Sequence, residues 1–265
     1  MYQIEPIAAL SDNYIWCLHD PDSGAALVVD PGEAAPVQSF LKEKGLHLER
    51  ILLTHHHPDH SGGIRKLVAG HDIPVHGPAG SPYPDITESL SEGDAVHWRD
   101  FVFEVLAVPG HTLDHIAFFS TRQQTSTPLL FSGDALFVCG CGRLFEGQPE
   151  QMQHSLAKLL PLPDDTLVCC GHEYTLANLA FSLAVLPEDQ GLRALQTRCQ
   201  ALRDQGLPTV PVSLGQEKRL NPFLRWDDKN VIESADRHAA QSGLPVSEGR
   251  PDLVFAALRH WKDHF

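Results

Sequence analysis

The stretch THHHPDH, at residues 54–60, strongly limits the local structure that this part of the chain can form, because it places four histidines and an aspartate in seven positions. A helix would spread such side chains around its circumference, and a strand would send alternate ones to opposite faces. Pro58 stiffens the backbone in the middle of the run. The crowding therefore indicates a turn that gathers imidazoles and a carboxylate into one site.

The length and charge of the chain limit the classes of protein to which it can belong. Its 265 residues can form one large domain, or one domain with a smaller appendage. The 34 acidic residues exceed the 20 basic ones and give a formal net charge of −14. Nucleic-acid partners require a basic face, so we expect none. A small anionic substrate remains compatible with this charge if a few cations are gathered locally.

The N-terminus and the cysteines predict a cytoplasmic protein. The first basic residue is Lys42, so the positive segment that opens a signal peptide is missing, and no apolar run approaches a membrane span. The six cysteines form no CxxC pair and are interpreted as buried thiols in a reducing compartment. No strongly apolar exposed stripe stands out, so we expect a monomer without a membrane partner.

Short apolar segments bounded by Pro, Gly or Asp predict strands in the first two-thirds of the chain. The predicted strands are residues 25–30, 50–54, 73–76, 101–108, 115–120, 128–132 and 166–170. Helical spacing predicts helices among them at residues 34–44, 63–69 and 149–160. Residues 101–108 alternate poorly, which favours a strand covered on both faces.

After residue 172 the sequence changes in character. Helical spacing recurs at residues 174–186, 188–205, 227–240 and 251–264, with Gly- and Pro-containing loops between them. No further strand is expected in this part. The pattern predicts an α/β domain at residues 1–172 and a small all-helical domain at residues 173–265.

Further candidate ligands follow predicted strands. His55 comes directly after the strand at residues 50–54, His111 follows VPG, Asp134 follows FSG and His172 follows CG. Neighbouring strand ends can converge on one cleft, where α/β proteins often bind ligands. We therefore expect one shared site, formed by His55, His57, Asp59, His60, His111, Asp134 and His172.

This set of residue types predicts a metal site. Five imidazoles and two carboxylates suit borderline divalent metals, and seven ligands are too many for one tetrahedral ion. The hypothesis is two ions that share Asp134 and a bridging water or hydroxide. His56 is left out, because the i, i+2 spacing of His55 and His57 points it away. Zinc is the first expectation, with iron and manganese as the alternatives.

The order of these ligands resembles that of the metallo-β-lactamase superfamily, over residues 1 to about 175. The resemblance implies an αββα sandwich of two mixed sheets with the metals at one edge. Asp30, in VVDPG, would orient the ligand imidazoles from behind. By resemblance, one metal would be held by His55, His57, His111 and Asp134, and the other by Asp59, His60, Asp134 and His172.

Three further segments resemble glyoxalase II, the hydroxyacylglutathione hydrolases: GCGRLFEG at 140–147, GHEYT at 171–175 and RHWKD at 259–263. The resemblance implies hydrolysis of S-(2-hydroxyacyl)glutathione, foremost of S-D-lactoylglutathione to D-lactate and glutathione, in methylglyoxal detoxification. A metal-bridging hydroxide, oriented by the catalytic residue Asp59, would attack the thioester. The residues implied to bind the glutathione part are Arg143, Phe145, Tyr174, Arg259 and Lys262.

Two positions depart from the family pattern. Phe145 stands where many relatives carry Tyr, which removes one hydroxyl group from the expected substrate site. Asp114 stands where several relatives carry Gly and adds a carboxylate whose role the sequence does not assign. The alternative interpretation is another dinuclear hydrolase of the same fold that acts on a lactone or a different thioester. Such an enzyme would not need Arg259 and Lys262.

Overall fold

The structure, a computed structural model of the chain, describes residues 2–120 and 127–265. It divides into two compact units, each of which is discontinuous in sequence. Unit 1 comprises Met1–Ala107, Asp114–Gly133 and Cys169–Glu173. Unit 2 comprises Val108–Leu113, Asp134–Val168 and Tyr174–Phe265.

Strands dominate the first two-thirds of the described chain and helices the last third. The described strands, numbered β1 to β14 in chain order, are Gln3–Ala9, Asn13–His19, Ala25–Val29, His47–Leu52, Val75–Pro78, Glu88–Leu90, Ala95–Trp98, Phe101–Ala107, Ile116–Ser120, Leu129–Gly133, Leu136–Phe137, Gly140–Cys141, Leu167–Cys170 and Val212–Ser213. The helices, α1 to α9, are Ala34–Lys44, Pro58–Ser61, Ile64–Val68, Pro149–Leu159, Thr175–Val185, Gln190–Arg203, Leu214–Leu220, Lys229–Ser242 and Pro251–Asp263, and a 3-10 helix lies at Pro222–Leu224. Within the described ranges, none of the helices is long and apolar enough to cross a membrane.

The first sheet of unit 1 is mixed. Its strand order is β1-β2-β3-β4-β5-β6, with antiparallel pairing from β1 to β3 and parallel pairing from β3 to β6. Helices α1 and α3 pack on one face, where Val28, Val37, Ile51 and Ile64 are fully buried in a common core. Strand β3, which pairs antiparallel with β2 and parallel with β4, is buried along its whole length.

The second sheet contributes the order β13-β10-β9-β8-β7 to unit 1, and β7 to β10 pair in antiparallel fashion. Phe103, Phe118 and Phe131 on this sheet are fully buried. In β8, Phe103 and Val105 are buried, whereas Glu104 between them is exposed. The prediction that this strand is covered on both faces is therefore wrong, because the face of Val102, Glu104 and Leu106 is only partly buried.

Trp16 joins the two sheets of unit 1. Side chains of β2 alternate, so that Ile15 and Cys17 enter the core beneath the helices while Trp16 points to the other face. There its Nε1 donates a hydrogen bond of 2.9 Å to the carbonyl oxygen of Cys170 on β13. The predicted fold class, two mixed sheets with flanking helices and a helical C-terminal region, is confirmed.

Unit 2 is mainly helical, and its helices begin at polar residues. The side chains of Asp189, Ser213 and Asp228 accept hydrogen bonds from backbone N–H groups in the first turns of α6, α7 and α8. Such caps satisfy donors that have no partner within the helix. The ring of Phe181 on α5 stacks on that of Phe223 in the 3-10 helix, with 5.7 Å between centroids, and both are buried.

The structure confirms the seven predicted strands and the seven predicted helices, with ends shifted by up to three residues. The sequence missed β1, β2, β6, β7, β11, β12, α2 and α7. The expectation of no strand after residue 172 is wrong, because Val212 and Ser213 pair with Leu167 and Val168 of β13. Two residues are too few to leave a periodic pattern. The predicted domain division at residue 172 stays a prediction.

Glu217, on α7, is a fully buried carboxyl group of unit 2. It accepts a hydrogen bond of 2.7 Å from the backbone N–H of Cys139 and one of 3.1 Å from the side-chain amide of Asn221. Burial raises the pKa of Glu217 to about 7, although these hydrogen bonds act in the opposite direction. The folded protein therefore holds this proton in a pH range in which the unfolded chain has lost it.

We expect Glu217→Gln to become relatively more stable as the pH rises. Between the ordinary pKa of a glutamate and about 7, the folded state binds more protons than the unfolded state, so the wild-type protein loses stability with rising pH. Gln mimics the neutral acid and removes this loss. The variant should gain roughly 2 kcal/mol over the wild type between about pH 5 and about pH 8, measured by urea unfolding.

The exposed Glu233 on α8 provides the control for this measurement. Glu233→Gln should shift the free energy of unfolding by the same small amount at both pH values. A difference between Glu217→Gln and the wild type that stays constant with pH would show that Glu217 titrates alike in the folded and unfolded chain.

Candidate metal centre

The histidine-rich run forms a turn followed by a short helix in unit 1. After β4 the chain leaves the sheet, and Pro58 occupies the first position of α2, which carries Asp59 and His60. Proline is favoured there because the first N–H of a helix has no helical partner. His172 approaches from the second sheet, directly after β13 and Gly171.

Three ligand atoms of unit 1 form one triangle. His60 Nε2 lies 3.3 Å from His172 Nε2. Asp59 Oδ2 lies 3.5 Å from the first of these atoms and 3.4 Å from the second. Two ligands of a tetrahedral zinc ion, each about 2.0–2.1 Å from the metal, are themselves about 3.3–3.4 Å apart. The spacing of Asp59, His60 and His172 therefore fits a metal ion.

His55 and His57 lie beside this triangle. The ring centroid of His55 is 4.3 Å from that of His60 and 4.8 Å from that of His57. His55 is fully buried, and the ring of His115 stacks on it at 4.6 Å with an interplanar angle of 16°. This stack fixes the ring plane of His55.

Unit 2 carries the other two predicted ligands. His111 Nε2 lies 3.4 Å from Asp134 Oδ2, and both side chains are nearly fully buried. This is again the spacing of two ligands of one ion. The structure thus brings five predicted ligands together in unit 1 and two in unit 2.

Acceptors behind the histidines of unit 1 determine which ring nitrogen carries the proton. Nδ1 of His60 lies 3.0 Å from Oδ2 of Asp30. The Thr54 hydroxyl donates to the same carboxylate at 2.7 Å, so it accepts from Nδ1 of His55, which lies 3.0 Å away. Because Nδ1 is the donor in both rings, the lone pair of Nε2 is available to a metal.

The same arrangement recurs at two other ligands. Oδ1 of Asp12 lies 2.8 Å from Nδ1 of His172. The backbone oxygen of Arg143 accepts from Nδ1 of His111 at 2.8 Å. A carbonyl oxygen can only accept, so His111 must carry its proton on Nδ1. The four ligands that present Nε2 in this way are His55, His60, His111 and His172.

Asn13 holds the carboxylate of the triangle. Its side-chain amide donates to Oδ2 of Asp59 at 3.0 Å. Its backbone forms an isolated antiparallel bridge with His172. Asn13 therefore fixes the position of Asp59 relative to His172.

The glycine at the end of β10 is required by close packing. Gly133 has a φ of +48°, and a Cβ there would lie 2.4 Å from Oγ1 of Thr54 and 2.8 Å from the ring of His115. Any side chain at this position would displace the residues that orient His55. The motif FSGD, which ends in the predicted ligand Asp134, thus needs its glycine for steric reasons.

Asp114, to which the sequence assigned no role, pairs with His56. Its carboxylate accepts from Nδ1 of His56 at 2.9 Å and from the hydroxyl of Ser81 at 2.7 Å. These bonds connect the histidine-rich turn to the loop that follows β5. His56, which was excluded from the ligand set, is held in place by this carboxylate.

The five residues predicted to bind the substrate all lie in unit 2. The side chain of Arg143 and the residue Phe145 are each 64% exposed. The ring of Phe145 lies edge-to-face with that of His111 at 5.3 Å. Tyr174 is 37% exposed and precedes helix α5. These three residues present a cation and two rings to solvent.

Arg259 and Lys262 share helix α9 but differ in their surroundings. Arg259 is only 5% exposed, and its guanidinium donates to the carbonyl oxygen of Cys141 at 3.1 Å and to Asp263 at 2.8 Å. Nζ of Lys262 donates to the carbonyl oxygen of Ala177 at 3.0 Å. Burial, together with the neighbouring Arg259 cation, lowers the pKa of Lys262 to about 8.

Sequence reasoning missed four residues that orient ligands: Asp12, Asn13, Thr54 and His115. Thr54 begins the THHHPDH run, and its position directly before His55 is a sequence signal for a hydroxyl that could orient that ring. Asp12 and Asn13 lie about 160 residues from His172, and no spacing in the sequence connects them to it. Backbone pairing of this segment with residues 171–173 brings them to the site: the backbone N–H of Tyr14 donates to the carbonyl oxygen of Gly171 at 2.8 Å, and that of Glu173 donates to the carbonyl oxygen of Asp12 at 2.9 Å.

Two family models match adjacent parts of the chain. The model of the metallo-beta-lactamase superfamily matches residues 14–172, and that of the hydroxyacylglutathione hydrolase C-terminus matches residues 173–265. A hydroxyacylglutathione hydrolase from Hahella chejuensis is 49% identical over 265 residues and is covered completely, as is this chain. One from Nitrosomonas europaea is 46% identical over 268 residues, with 100% of this chain and 97% of the relative covered.

Solved structures show the same fold. ETHE1 from Myxococcus xanthus is similar with a TM-score of 0.62 and 26% identity, over 99% of this chain and 98% of its own. TTHA1623, solved in a di-iron-bound form, gives a TM-score of 0.58 and 26% identity, over 83% and 100%. Because the curated relatives match from end to end, this chain belongs to the hydroxyacylglutathione hydrolase family of the metallo-β-lactamase superfamily.

Proposed function

We propose that this protein is an enzyme that hydrolyses the thioester of S-(2-hydroxyacyl)glutathione to glutathione and a 2-hydroxy acid. The observation that carries this proposal is the triangle of Asp59, His60 and His172, whose donor spacing fits a metal ion. The full-length relatives named hydroxyacylglutathione hydrolase support the substrate class. The foremost substrate is S-D-lactoylglutathione, which yields D-lactate in methylglyoxal detoxification.

The proposed cofactor is a pair of divalent metal ions. Imidazole and carboxylate ligands suit zinc, our first candidate, and also iron and manganese. The di-iron form of a similar solved structure supports a pair of ions. The proposed ligands are His55, His57, His111 and Asp134 for one ion, and Asp59, His60, Asp134 and His172 for the other.

The chemistry of the proposed site divides between the metals and the chain. When bound, the metal pair polarises the thioester carbonyl and lowers the pKa of water towards neutrality. Asp59 is the proposed catalytic residue, because its carboxylate, held by Asn13, can orient the attacking water and take up its proton. The glutathione thiolate has an ordinary thiol pKa and leaves without a general acid.

Residues of unit 2 are the proposed binding site for the glutathione part. Glutathione carries two carboxylates and one ammonium, so an acidic protein must offer local cations. The exposed guanidinium of Arg143 can bind a carboxylate with two hydrogen bonds, and Lys262 offers a point charge. The exposed rings of Phe145 and Tyr174 provide surfaces for packing. Arg259, the remaining candidate, is buried against the backbone of Cys141.

The surroundings of the enzyme are also part of the proposal. We expect a cytoplasmic monomer whose partner is a small molecule. None of the six cysteines, which all lie in the described ranges, forms a disulfide, and this supports a reducing compartment. The net charge of −14 supports the absence of a nucleic-acid partner.

The metal-replete protein should hydrolyse S-D-lactoylglutathione, and His55→Ala should lower kcat/KM on the order of a hundredfold or more, because it deletes a ligand. Loss of the thioester absorbance measures the rate. His47→Ala, which changes an exposed histidine of β4, is the matched control and should keep full activity. If the metal-replete protein leaves this thioester intact but hydrolyses lactones, the proposed substrate is wrong and the alternative is correct.

Asp12→Ala should weaken metal binding by roughly 10- to 100-fold, because it removes the acceptor that holds Nδ1 of His172. Competition with a chromophoric chelator measures this affinity without any substrate. Asp22→Ala alters an exposed carboxylate of the turn before β3 and should leave the affinity unchanged. Equal affinities of all three proteins would show that Asp12 does not orient a metal ligand.

The KM for the thioester should rise as the pH passes about 8, because Lys262 then loses the positive charge that it carries below its pKa. Lys262→Arg keeps the cation and should hold KM constant. The experiment compares KM for both proteins between about pH 6.5 and about pH 9.5. A flat profile for the wild type would exclude this role for the Lys262 charge.

A further inference from the structure

Residues 137–143, named here the anchored segment, run from the end of β11 to Arg143 in unit 2. Each of their seven carbonyl oxygens accepts a hydrogen bond from a side chain, at 2.8 to 3.5 Å. Most protein hydrogen bonds join backbone groups, so such a run is unusual. In chain order the donors are Asn221, Asn178, Ser182, Asn221, Arg259, Arg259 and His111.

The donors that precede His111 come from the C-terminal helical part of the chain. Asn178 and Ser182 lie on α5, Arg259 lies on α9, and Asn221 follows α7. All four are at most 5% exposed. A buried donor that loses its acceptor is costly, so these side chains hold the anchored segment to one backbone path.

Arg259 holds the last part of the anchored segment. Its Nη1 donates to the carbonyl oxygens of Cys141 at 3.1 Å and Gly142 at 3.5 Å. Its guanidinium lies 5.3 Å from the ring centroid of Phe223, and Nη2 donates to Asp263 at 2.8 Å. The planar group is thus fixed on several sides, and a single ammonium could not reproduce this set of contacts.

The anchored segment ends on a proposed metal ligand. The carbonyl oxygen of Arg143 accepts from Nδ1 of His111 at 2.8 Å, and the backbone N–H of Phe145 donates to the carbonyl oxygen of His111 at 3.2 Å. A Cβ on Gly142 would lie 2.1 Å from the carbonyl oxygen of Asp134 and 3.0 Å from Nδ1 of His111. The segment therefore packs directly against both ligands of unit 2.

From these contacts we propose that Arg259 is a positioning residue for the metal ligand His111. Arg259 fixes the carbonyls of Cys141 and Gly142, and so the carbonyl of Arg143. That carbonyl keeps the proton of His111 on Nδ1 and directs Nε2 to the metal. The inference rests on the proposed function, since the metal belongs to it. It gives Arg259 a task that differs from holding the substrate.

The test is the affinity of the protein for zinc alone, measured by competition with a chromophoric chelator. Arg259→Lys keeps the positive charge but cannot hold both carbonyls, and it should weaken the binding of one of the two ions about tenfold. Lys262→Gln is the matched control on the same helix. It removes a charge without touching the anchored segment and should leave the affinity unchanged.

The two roles of Arg259 give opposite results. If Arg259 only binds the substrate, Arg259→Lys will raise KM and leave the zinc affinity within twofold of the wild type, and the proposal is overturned. A wild-type protein that binds two zinc ions but cleaves no glutathione thioester would refute the proposed function and leave this test intact. A wild-type protein that binds no zinc would refute both.

A second variant keeps the proposal testable if Arg259→Lys does not fold. Ser182→Ala removes the buried hydroxyl that donates to the carbonyl of Cys139, leaves Arg259 in place and changes no charge. The variant should lower the affinity for the same zinc ion about threefold, because it loosens the anchored segment at a greater distance from His111. Unchanged zinc affinity in this folded variant would contradict the idea that the anchored segment positions the ligand.

Discussion

The hydrogen bond at Nδ1 of four candidate ligand histidines, His55, His60, His111 and His172, is the interaction on which the candidate site depends. An imidazole can offer Nε2 to a metal only if Nδ1 keeps the proton and the ring cannot turn. The chain supplies a different acceptor for each ring: the carboxylates of Asp30 and Asp12, the hydroxyl of Thr54 and the carbonyl of Arg143. Since these acceptors come from different segments, the site exists only when the surrounding fold is formed.

Asp30, which orients the His60 ring, is a buried carboxylate whose hydrogen bonds stabilise its charge. It accepts from the backbone N–H and the hydroxyl of Thr54 and from the ring of His60. Three donors offset the loss of solvation that burial imposes on the charge. The Asp30 carboxylate therefore links Thr54, at the start of the histidine-rich turn, to His60, at its end. These hydrogen bonds hold the two ends of the turn at a fixed separation.

The sequence points to the candidate ligands more readily than to the residues that support them. His55, His111, Asp134 and His172 could be found because each follows an apolar strand, and such strands are recognisable in isolation. Asp12 could not, since its partner His172 is distant in sequence. Strand β1 escaped detection because it lies at a sheet edge, half exposed and with Pro6 in its middle.

The basic residues of α9 show a different limit of sequence reasoning. Arg259 and Lys262 are three apart and were expected to act together on the substrate. Helical spacing predicts that both side chains point to the same side of the helix, but it does not predict how deeply each one is buried. In the structure, the arginine is enclosed by backbone carbonyls while the lysine stays near the surface. The charge of a residue is visible in the sequence, but its solvation is not.

The discontinuity of the two units has a consequence for how such a protein can evolve. The chain passes from one unit to the other at residues 107/108, 113/114, 133/134, 168/169 and 173/174. Recombination that exchanged residues 173–265 alone would give unit 2 its new helices but keep the old segments 108–113 and 134–168 inside it. Exchange of one continuous stretch of the chain therefore cannot replace unit 2 as a whole.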